Sequence, residues 1–346
     1  MKIKHIWPVV IIAALLFVAS ACTSNDDEPN VAVVSGSAAE GVMESMEKEY
    51  MHVRTTDKIT DIIKHPAFKG FAQFIFPLER GMPNESMTLE NVASLLPYHS
   101  NVRASEAADA INTMINMIDN GQPVFYDIYS EQEKQDDASR EATGLFFFRG
   151  EPGTPFAVFC AGGGFSYVGS IHEGYPLAIE LSKKGYNAFV VQYRVGSEND
   201  ACEDLAAAIS YIFKNSETLE VSTDSHSLWG GSAGARMVAN IGSFGTANFG
   251  QEGYPQPATV VMAYTGHSTY TKNDPPTYAV IGKNDGIASP LVMERRIKAL
   301  QNAGIDAELH VYPDLGHGFG LGIGTSAETW MDGAVQFWEK HMNSNS

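Results

Sequence analysis

From residue 155 onward, short apolar runs alternate with segments whose apolar residues recur at spacings of three and four. Short runs rich in valine, phenylalanine and alanine predict buried strands, and the longer spacing predicts amphipathic helices. The predicted strands cover residues 155–161, 187–195, 225–231, 258–264, 277–282 and 306–312. The predicted helices cover residues 173–184, 201–215, 233–241, 289–303 and 326–342. This alternation predicts an α/β fold, with a mostly parallel sheet covered by helices on both faces.

Two further apolar runs precede this alternation, at residues 123–130 and 143–150. A polar stretch, EQEKQDDASREA, separates them. We expect the two runs to pair as an antiparallel hairpin at the edge of the sheet. The α/β domain would then cover residues 122–342.

Residues 45–121 carry no strand pattern and are predicted to form a helical N-terminal extension. The stretch AADAINTMINMID is its clearest amphipathic segment. Two roles remain open for the extension. It either forms part of a pocket wall or is a helical layer on the sheet.

The first residues have the features of a targeting signal. Lys2 and Lys4 precede an apolar segment at residues 6–19, which is too short for a standard transmembrane helix. Residues 1–21 resemble a bacterial lipoprotein signal peptide, which implies lipidation of Cys22 and a place in the cell envelope. An ordinary cleaved signal is the alternative. Residues 22–44 are small and polar, which is typical of a flexible tether.

The composition of the chain limits the kinds of molecule that it is expected to bind. The chain has 346 residues, of which 44% are hydrophobic, enough for one large domain with an extension. Its formal net charge of −18 becomes −20 without residues 1–21, which disfavours binding to nucleic acid. The spacing of the cysteines matches no metal site. Cys160 and Cys202 are either two buried thiols or, outside the cytoplasm, a disulfide.

One serine lies among small residues in the stretch WGGSAGARM. Gly230 and Gly234 flank Ser232 in the pattern G-x-S-x-G, and the serine falls between a predicted strand and a predicted helix. That context favours a nucleophile elbow, a strained turn that exposes the serine hydroxyl. Ser232 is therefore a candidate nucleophile.

A serine nucleophile needs a base and an acid, which follow it along the chain in folds of this type. Asp285 comes after the strand at 277–282, and His317 follows the strand at 306–312 on a glycine-rich loop. Asp314 is a rival acid, but three residues from His317 it fits the same turn better. We expect Ser232, His317 and Asp285 to act as nucleophile, base and orienting acid.

Acyl transfer also needs hydrogen-bond donors for the oxyanion. Three glycines follow the strand at 155–161, where the loop that carries such donors is expected. The N–H groups of Gly163, Gly164 and Ala233 are the candidate oxyanion hole.

Together the motifs AGGGF, GGSAG, NDG and GHGFG resemble those of α/β-hydrolase esterases with a glycine-rich oxyanion loop, over about residues 122–342. Ala161 departs from the histidine that is usual in hormone-sensitive-lipase-like members. The stretch from Gly162 to Val195 is more similar to secreted bacterial esterases that remove acetyl or feruloyl groups from plant xylan. The resemblance implies a small-molecule or oligosaccharide ester as the substrate, with no cofactor and no metal.

Several other residues have two interpretations each. His172 and Glu173 either line the pocket or belong to a helix, and Arg194 and Arg236 are expected to pair with carboxylates. His226 is expected to be structural. Four aromatic residues form either a sugar-binding rim or core: Phe165, Tyr167, Phe319 and Trp330.

The sequence therefore favours a serine carboxylic-ester hydrolase tethered in the cell envelope. Two alternatives remain: a peptidase similar to prolyl oligopeptidases, and a non-catalytic lipoprotein that binds glycans.

Overall fold

A computed structural model describes residues 50–342. The expected signal peptide at 1–21, the lipidation site Cys22 and the tether at 22–44 lie outside the described residues.

The centre of the fold is an eight-stranded sheet. Its strands are β1 (Phe125–Tyr126), β2 (Gly144–Phe148), β3 (Pro155–Cys160), β4 (Asn187–Gln192), β5 (Ser222–Gly231), β6 (Thr259–Ala263), β7 (Thr277–Gly282) and β8 (Ala307–Tyr312). They lie in the order β1-β2-β4-β3-β5-β6-β7-β8. The pairs from β4 to β8 are parallel, whereas β1 pairs with β2, and β2 with β4, in antiparallel fashion. The predicted mostly parallel sheet and its antiparallel edge hairpin are confirmed.

Ten α-helices accompany the sheet in the described residues. They are α1 (Ile59–Ile63), α2 (Ala104–Asp119), α3 (Glu131–Asp136), α4 (Ser170–Glu173), α5 (Tyr175–Lys183), α6 (Glu198–Lys214), α7 (Ser216–Leu219), α8 (Ala233–Phe244), α9 (Pro290–Asn302) and α10 (Trp330–Met342). Between residues 50 and 342, none of these helices has the length and apolar character that a membrane span requires.

The core lies between the helices and the sheet. Every residue of β2, β4, β6 and β7 is buried. Such strands read as continuous apolar runs because helices exclude water from both faces. Aromatic rings fill part of this space, and Phe147 of β2 stacks on Phe189 of β4 with ring centroids 4.2 Å apart.

The segment that precedes the α/β domain has little regular helix before α2. Residues 50–103 contain α1 and four short 3-10 turns, at Pro66–Phe68, Ala72–Phe74, Leu78–Arg80 and Leu89–Leu95. Its apolar side chains still join the common core, and the Tyr175 hydroxyl of α5 donates to the Phe74 carbonyl. The segment is thereby packed onto the helical layer beside the carboxyl ends of β3 and β4.

Candidate active site

Ser232 stands at the sharp turn between β5 and α8. Its backbone angles are φ 50° and ψ −111°, a region that costs a non-glycine residue about 1–3 kcal/mol. The glycines beside it are required by close packing. A Cβ on Gly230 would lie 2.4 Å from the backbone of Gly234, and one on Gly234 would lie 1.9 Å from the Cys160 carbonyl oxygen. This geometry has the features of a nucleophile elbow.

The loops after β7 and β8 bring two further side chains to Ser232. His317 Nε2 lies 2.8 Å from Ser232 Oγ, and His317 Nδ1 lies 2.8 Å from Asp285 Oδ2. His317 and Asp285 are both buried. The structure thus brings together the three residues expected from the sequence, at the distances that proton transfer requires.

Asp285 is held by its own loop. Its Oδ1 accepts the backbone N–H groups of Ile287 and Ala288 at 2.8 and 2.7 Å, which leaves Oδ2 for His317. Asp314, the rival acid, is exposed. The acid bonded to His317 Nδ1 is therefore Asp285, which precedes α9, and not Asp314.

The glycine loop after β3 faces the nucleophile. Gly163 and Gly164 have φ of 141° and 63°, and a Cβ on Gly163 would lie 1.9 Å from the Tyr167 carbonyl oxygen. Among residues 50–342, no protein acceptor is bonded to the N–H of either glycine. Ala233 is the first residue of α8, where an α-helix leaves the N–H without an intrahelical partner. These free donors suit the binding of an oxyanion.

The buried carboxylate of Glu173 bonds the start of this glycine loop. Glu173 Oε2 accepts the Gly162 N–H at 2.7 Å and lies 2.6 Å from the place a Cβ on Gly231 would take. His99 Nε2, from the N-terminal segment, lies 3.2 Å from Glu173 Oε1. Burial alone would raise the pKa of Glu173, but the nearby His99 and His172 rings and the Gly162 N–H hold that pKa below its usual range.

Hydrogen bonds from other segments also hold the loop that carries His317. His172 Nε2 lies 3.1 Å from the Gly318 carbonyl oxygen, and burial lowers the pKa of His172 to about 4, so it is neutral there. Ser100 donates its hydroxyl to the His317 carbonyl oxygen at 2.7 Å. Its N–H donates to the Gly318 carbonyl oxygen at 3.0 Å.

Residues 98–100 are functional candidates that sequence reasoning missed. Tyr98 is 42% exposed, its ring stacks on Tyr167, and it lies 3.2 Å from the place a Cβ on Gly164 would take. By contrast, three of the four aromatics weighed as a sugar-binding rim are buried, namely Tyr167, Phe319 and Trp330. Phe165, the fourth, is half-buried, and Tyr98 is a more exposed aromatic residue beside the glycine loop.

The remaining candidates have structural partners. Arg194 pairs with Asp204 at 2.8 Å, and Arg236 pairs with Glu198. His226 of β5 stacks on Phe156 of β3, with ring centroids 5.3 Å apart.

The described residues include two cysteines. Cys160 and Cys202 are free, buried thiols. Burial raises the pKa of Cys202 to about 12, which keeps its thiol protonated at neutral pH. Over residues 50–342, no group of histidine, cysteine, aspartate and glutamate residues is arranged to hold a metal ion.

Family models match two parts of the chain. The BD-FAE model matches residues 149–253, which include the glycine loop and Ser232. The model of the prolyl oligopeptidase family matches residues 243–345, which include Asp285 and His317.

Among curated proteins, an acetylxylan esterase of Xylanibacter ruminicola is 26% identical over 193 residues, which are 46% of this chain. The match spans 40% of the length of that relative.

Solved structures agree on the fold. An acetyl ester-xyloside bifunctional hydrolase from Caldicellulosiruptor lactoaceticus has a TM-score of 0.55 at 19% identity, covering 62% of this chain and 95% of that one. A thermophilic esterase of the Planctomycetes species Thermogutta terrifontis, bound to propionate, has a TM-score of 0.51 at 19% identity, with coverages of 57% and 89%. The described chain therefore has an α/β-hydrolase fold, and its sequence resembles that of an acetylxylan esterase.

Proposed function

We propose that this protein is a serine hydrolase of carboxylic esters. The observation that carries the proposal is the chain of hydrogen bonds from Ser232 through His317 to Asp285, each 2.8 Å long. A serine hydroxyl is a weak nucleophile, and a base oriented by a carboxylate is what activates it. The similarity to an acetylxylan esterase supports the same reaction.

In the proposed reaction, Ser232 Oγ attacks the acyl carbon while its proton passes to His317 Nε2. The N–H groups of Gly163, Gly164 and Ala233 hold the resulting oxyanion. Collapse of the tetrahedral intermediate breaks the ester bond, and the alcohol leaves with the proton from His317. Water then attacks the acyl-enzyme, with His317 as the base, and releases the acid and the free serine.

Hydrolysis of p-nitrophenyl acetate by the purified protein tests this proposal. We expect Ser232→Ala to lower kcat by at least about 1,000-fold, because the acyl-enzyme cannot form. Ser94→Ala is a matched control, since Ser94 is exposed and bonds within its own turn. Turnover by Ser232→Ala at the wild-type rate would refute the proposal. A folded wild-type protein without turnover would favour a role in glycan binding.

For the substrate, we propose an acetylated or feruloylated plant polysaccharide or its oligosaccharides. The names of the matched esterase and of the acetyl ester-xyloside hydrolase support this class. An exposed aromatic ring beside the glycine loop also suits a sugar, because its apolar face can cover one face of a pyranose. Tyr98 provides such a ring.

Acid release from acetylated and feruloylated xylo-oligosaccharides tests the substrate class and identifies the acyl group. We expect Tyr98→Ala to reduce kcat/KM for the preferred oligosaccharide about tenfold more than for p-nitrophenyl acetate. Tyr270→Ala is the matched control, because Tyr270 is similarly exposed, on the segment after β6. Equal losses on both substrates would contradict a sugar contact at Tyr98.

A peptidase is a second candidate, favoured by the prolyl oligopeptidase match over residues 243–345. It would use the same serine, since the acyl-enzyme chemistry of esters and amides is shared. A proline-containing peptide p-nitroanilide distinguishes the two. Faster cleavage of the anilide than of the acetylated oligosaccharide would favour the peptidase.

We further propose that the chain is exported and lipidated at Cys22, which would place the hydrolase in the cell envelope. The basic start, the apolar segment at 6–19 and the small residues before Cys22 support this. Mass spectrometry of the N-terminal peptide from cells tests it. A mature chain that begins elsewhere and carries no lipid would contradict it.

A further inference from the structure

Beneath the proposed oxyanion loop, a histidine and a glutamate from distant parts of the chain form a buried pair. The side chains of His99 and Glu173 are 2% and 1% exposed, and their Nε2 and Oε1 atoms are 3.2 Å apart. A buried carboxylate is costly unless charged or polar partners compensate it. The partners of Glu173 include His99 and the N–H of Gly162, at the start of the loop.

His99 is connected to the far end of the same loop. Its Nδ1 lies 2.9 Å from the Tyr167 hydroxyl, which also accepts the Tyr98 N–H at 3.2 Å. The backbone of Tyr167 in turn leaves no room for a Cβ on Gly163. One ring nitrogen of His99 thus bonds Tyr167 at the end of the loop that carries Gly163 and Gly164, and the other lies beside Glu173, which binds the start of that loop.

The next residue connects to the proposed base. Ser100 makes two hydrogen bonds to the backbone of the His317 loop, one from its hydroxyl to His317 and one from its N–H to Gly318. Consecutive residues of the N-terminal segment thus connect to two loops, the glycine loop and the His317 loop. Acyl transfer requires a fixed distance between the donors of the first loop and the base of the second. A displacement of about 1 Å between such groups costs about 100-fold in rate.

We propose that His99 is a positioning residue of this hydrolase: through Glu173 and Tyr167 it places the N–H groups of Gly163 and Gly164, while the adjoining Ser100 aligns the His317 loop with them. This inference rests on the proposed function. It gives residues 98–100 a part in the reaction although none of them exchanges a proton or bond with the substrate.

The role has a kinetic signature that simple packing lacks. The oxyanion is absent from the bound ester and develops in the transition state that leads to the tetrahedral intermediate, so misplaced donors lower kcat and leave KM nearly unchanged. Loss of one donor typically costs 100- to 1,000-fold, and a displaced donor less. We expect His99→Ala to lower kcat for p-nitrophenyl acetate about 10- to 100-fold, with KM within about threefold.

Conservative variants and a control keep the test informative. His99→Gln can still donate to Glu173, so we expect it to recover at least about fivefold of the lost kcat. In the double variant His99→Ala/Glu173→Gln, we expect a loss well below the product of the single losses, because both act through one network. His65→Ala is the matched control, since His65 lies in the same segment and its ring bonds the Met51 carbonyl.

The rate at which a fluorophosphonate labels Ser232 gives a second readout that needs no substrate. Parallel losses of labelling rate and kcat in His99→Ala, with both retained in His65→Ala, support the inference. Wild-type kcat and labelling in a folded His99→Ala variant would overturn it. If His99→Ala fails to fold, Ser100→Ala decides: a lower kcat with KM nearly unchanged supports the inference, and wild-type kcat and labelling overturn it. A wild-type protein that is not labelled at Ser232 overturns the proposed function itself, and the inference with it.

Discussion

Ser232 is the residue where conformation and chemistry are most closely linked. Its positive φ is unfavourable for a side chain with a Cβ, yet that conformation exposes Oγ to His317 at the amino end of α8. The turn is held because the Ser232 N–H donates to the Ala263 carbonyl and β5 is paired at both edges, with β3 and with β6. The surrounding sheet therefore maintains a backbone that the serine alone would not adopt.

At this scale, the two acids near His317 can be separated by mutation. We expect Asp285→Asn to lower kcat for p-nitrophenyl acetate about 1,000-fold or more, because the amide favours the wrong tautomer of His317. The matched change Asp314→Asn should have an effect below about twofold, since Asp314 is exposed and is not bonded to His317 Nδ1. Steady-state kinetics of the two variants show which of the two acids orients His317. A larger loss in Asp314→Asn would show that the acid is misassigned.

At the scale of elements, the site depends on how tightly α8 packs across β3. Gly234 lies in the first turn of α8, where its Cα faces the last carbonyl of β3. That contact brings the start of the helix, with the Ala233 N–H, up to the carboxyl end of the sheet. A side chain at this position would push the helix and its first donor away.

We expect Gly234→Ala to lower the free energy of unfolding by about 2–4 kcal/mol and to abolish esterase activity. This is the reverse of the gain of up to about 1 kcal/mol that alanine gives inside an unobstructed helix. Gly253→Ala is a control, because its Cβ would meet nothing closer than 4.0 Å. Urea unfolding measures both. Equal stability of the two variants would contradict the close contact with Cys160.

The sequence predicted the strands and helices whose apolar residues form continuous runs or recur at a regular spacing. The bounds of β7 agree with the prediction, and β3 differs from it only in ending one residue early. Both strands were predicted well because their sequences are mostly apolar along their whole length. The start of β5 was missed by three residues. A register shift pairs Ser222 with Pro155, and no periodicity encodes a shift.

The predicted triad residues are brought together because parallel strands place their carboxyl ends at one edge. His99 could not be found in the same way. It lies in the stretch LPYHSN, which has no strand or helix period, and its partner Glu173 is far along the chain. Only the tertiary fold brings the two together.

At the scale of the whole molecule, buried neutral histidines link stability to pH. Burial lowers the pKa of His172, His226 and His267 to about 4. Between about pH 6.5 and pH 4 the unfolded chain binds protons at these positions and the folded chain does not, so stability falls as the pH falls. Above about pH 7 both states are neutral there and the effect vanishes.

His226 offers a direct measurement because it lies between the rings of Phe156 and Phe213. In His226→Phe we expect the loss of unfolding free energy between pH 7 and pH 4.5 to be smaller than in wild type by about 2 kcal/mol. Urea unfolding at both pH values gives the difference, and pH 8 serves as the reference. An unchanged pH dependence would mean that His226 binds a proton in the folded state.

The hydrogen bond from Ser100 to His317 spans 217 residues. Contacts so distant along the chain form late in folding, since the entropy of closing the intervening loop must be overcome first. A nascent chain in which His317 is not yet synthesised cannot complete the site. The proposed hydrolytic activity would then appear only after the His317 loop has joined Ser100, and its appearance would mark that step of folding.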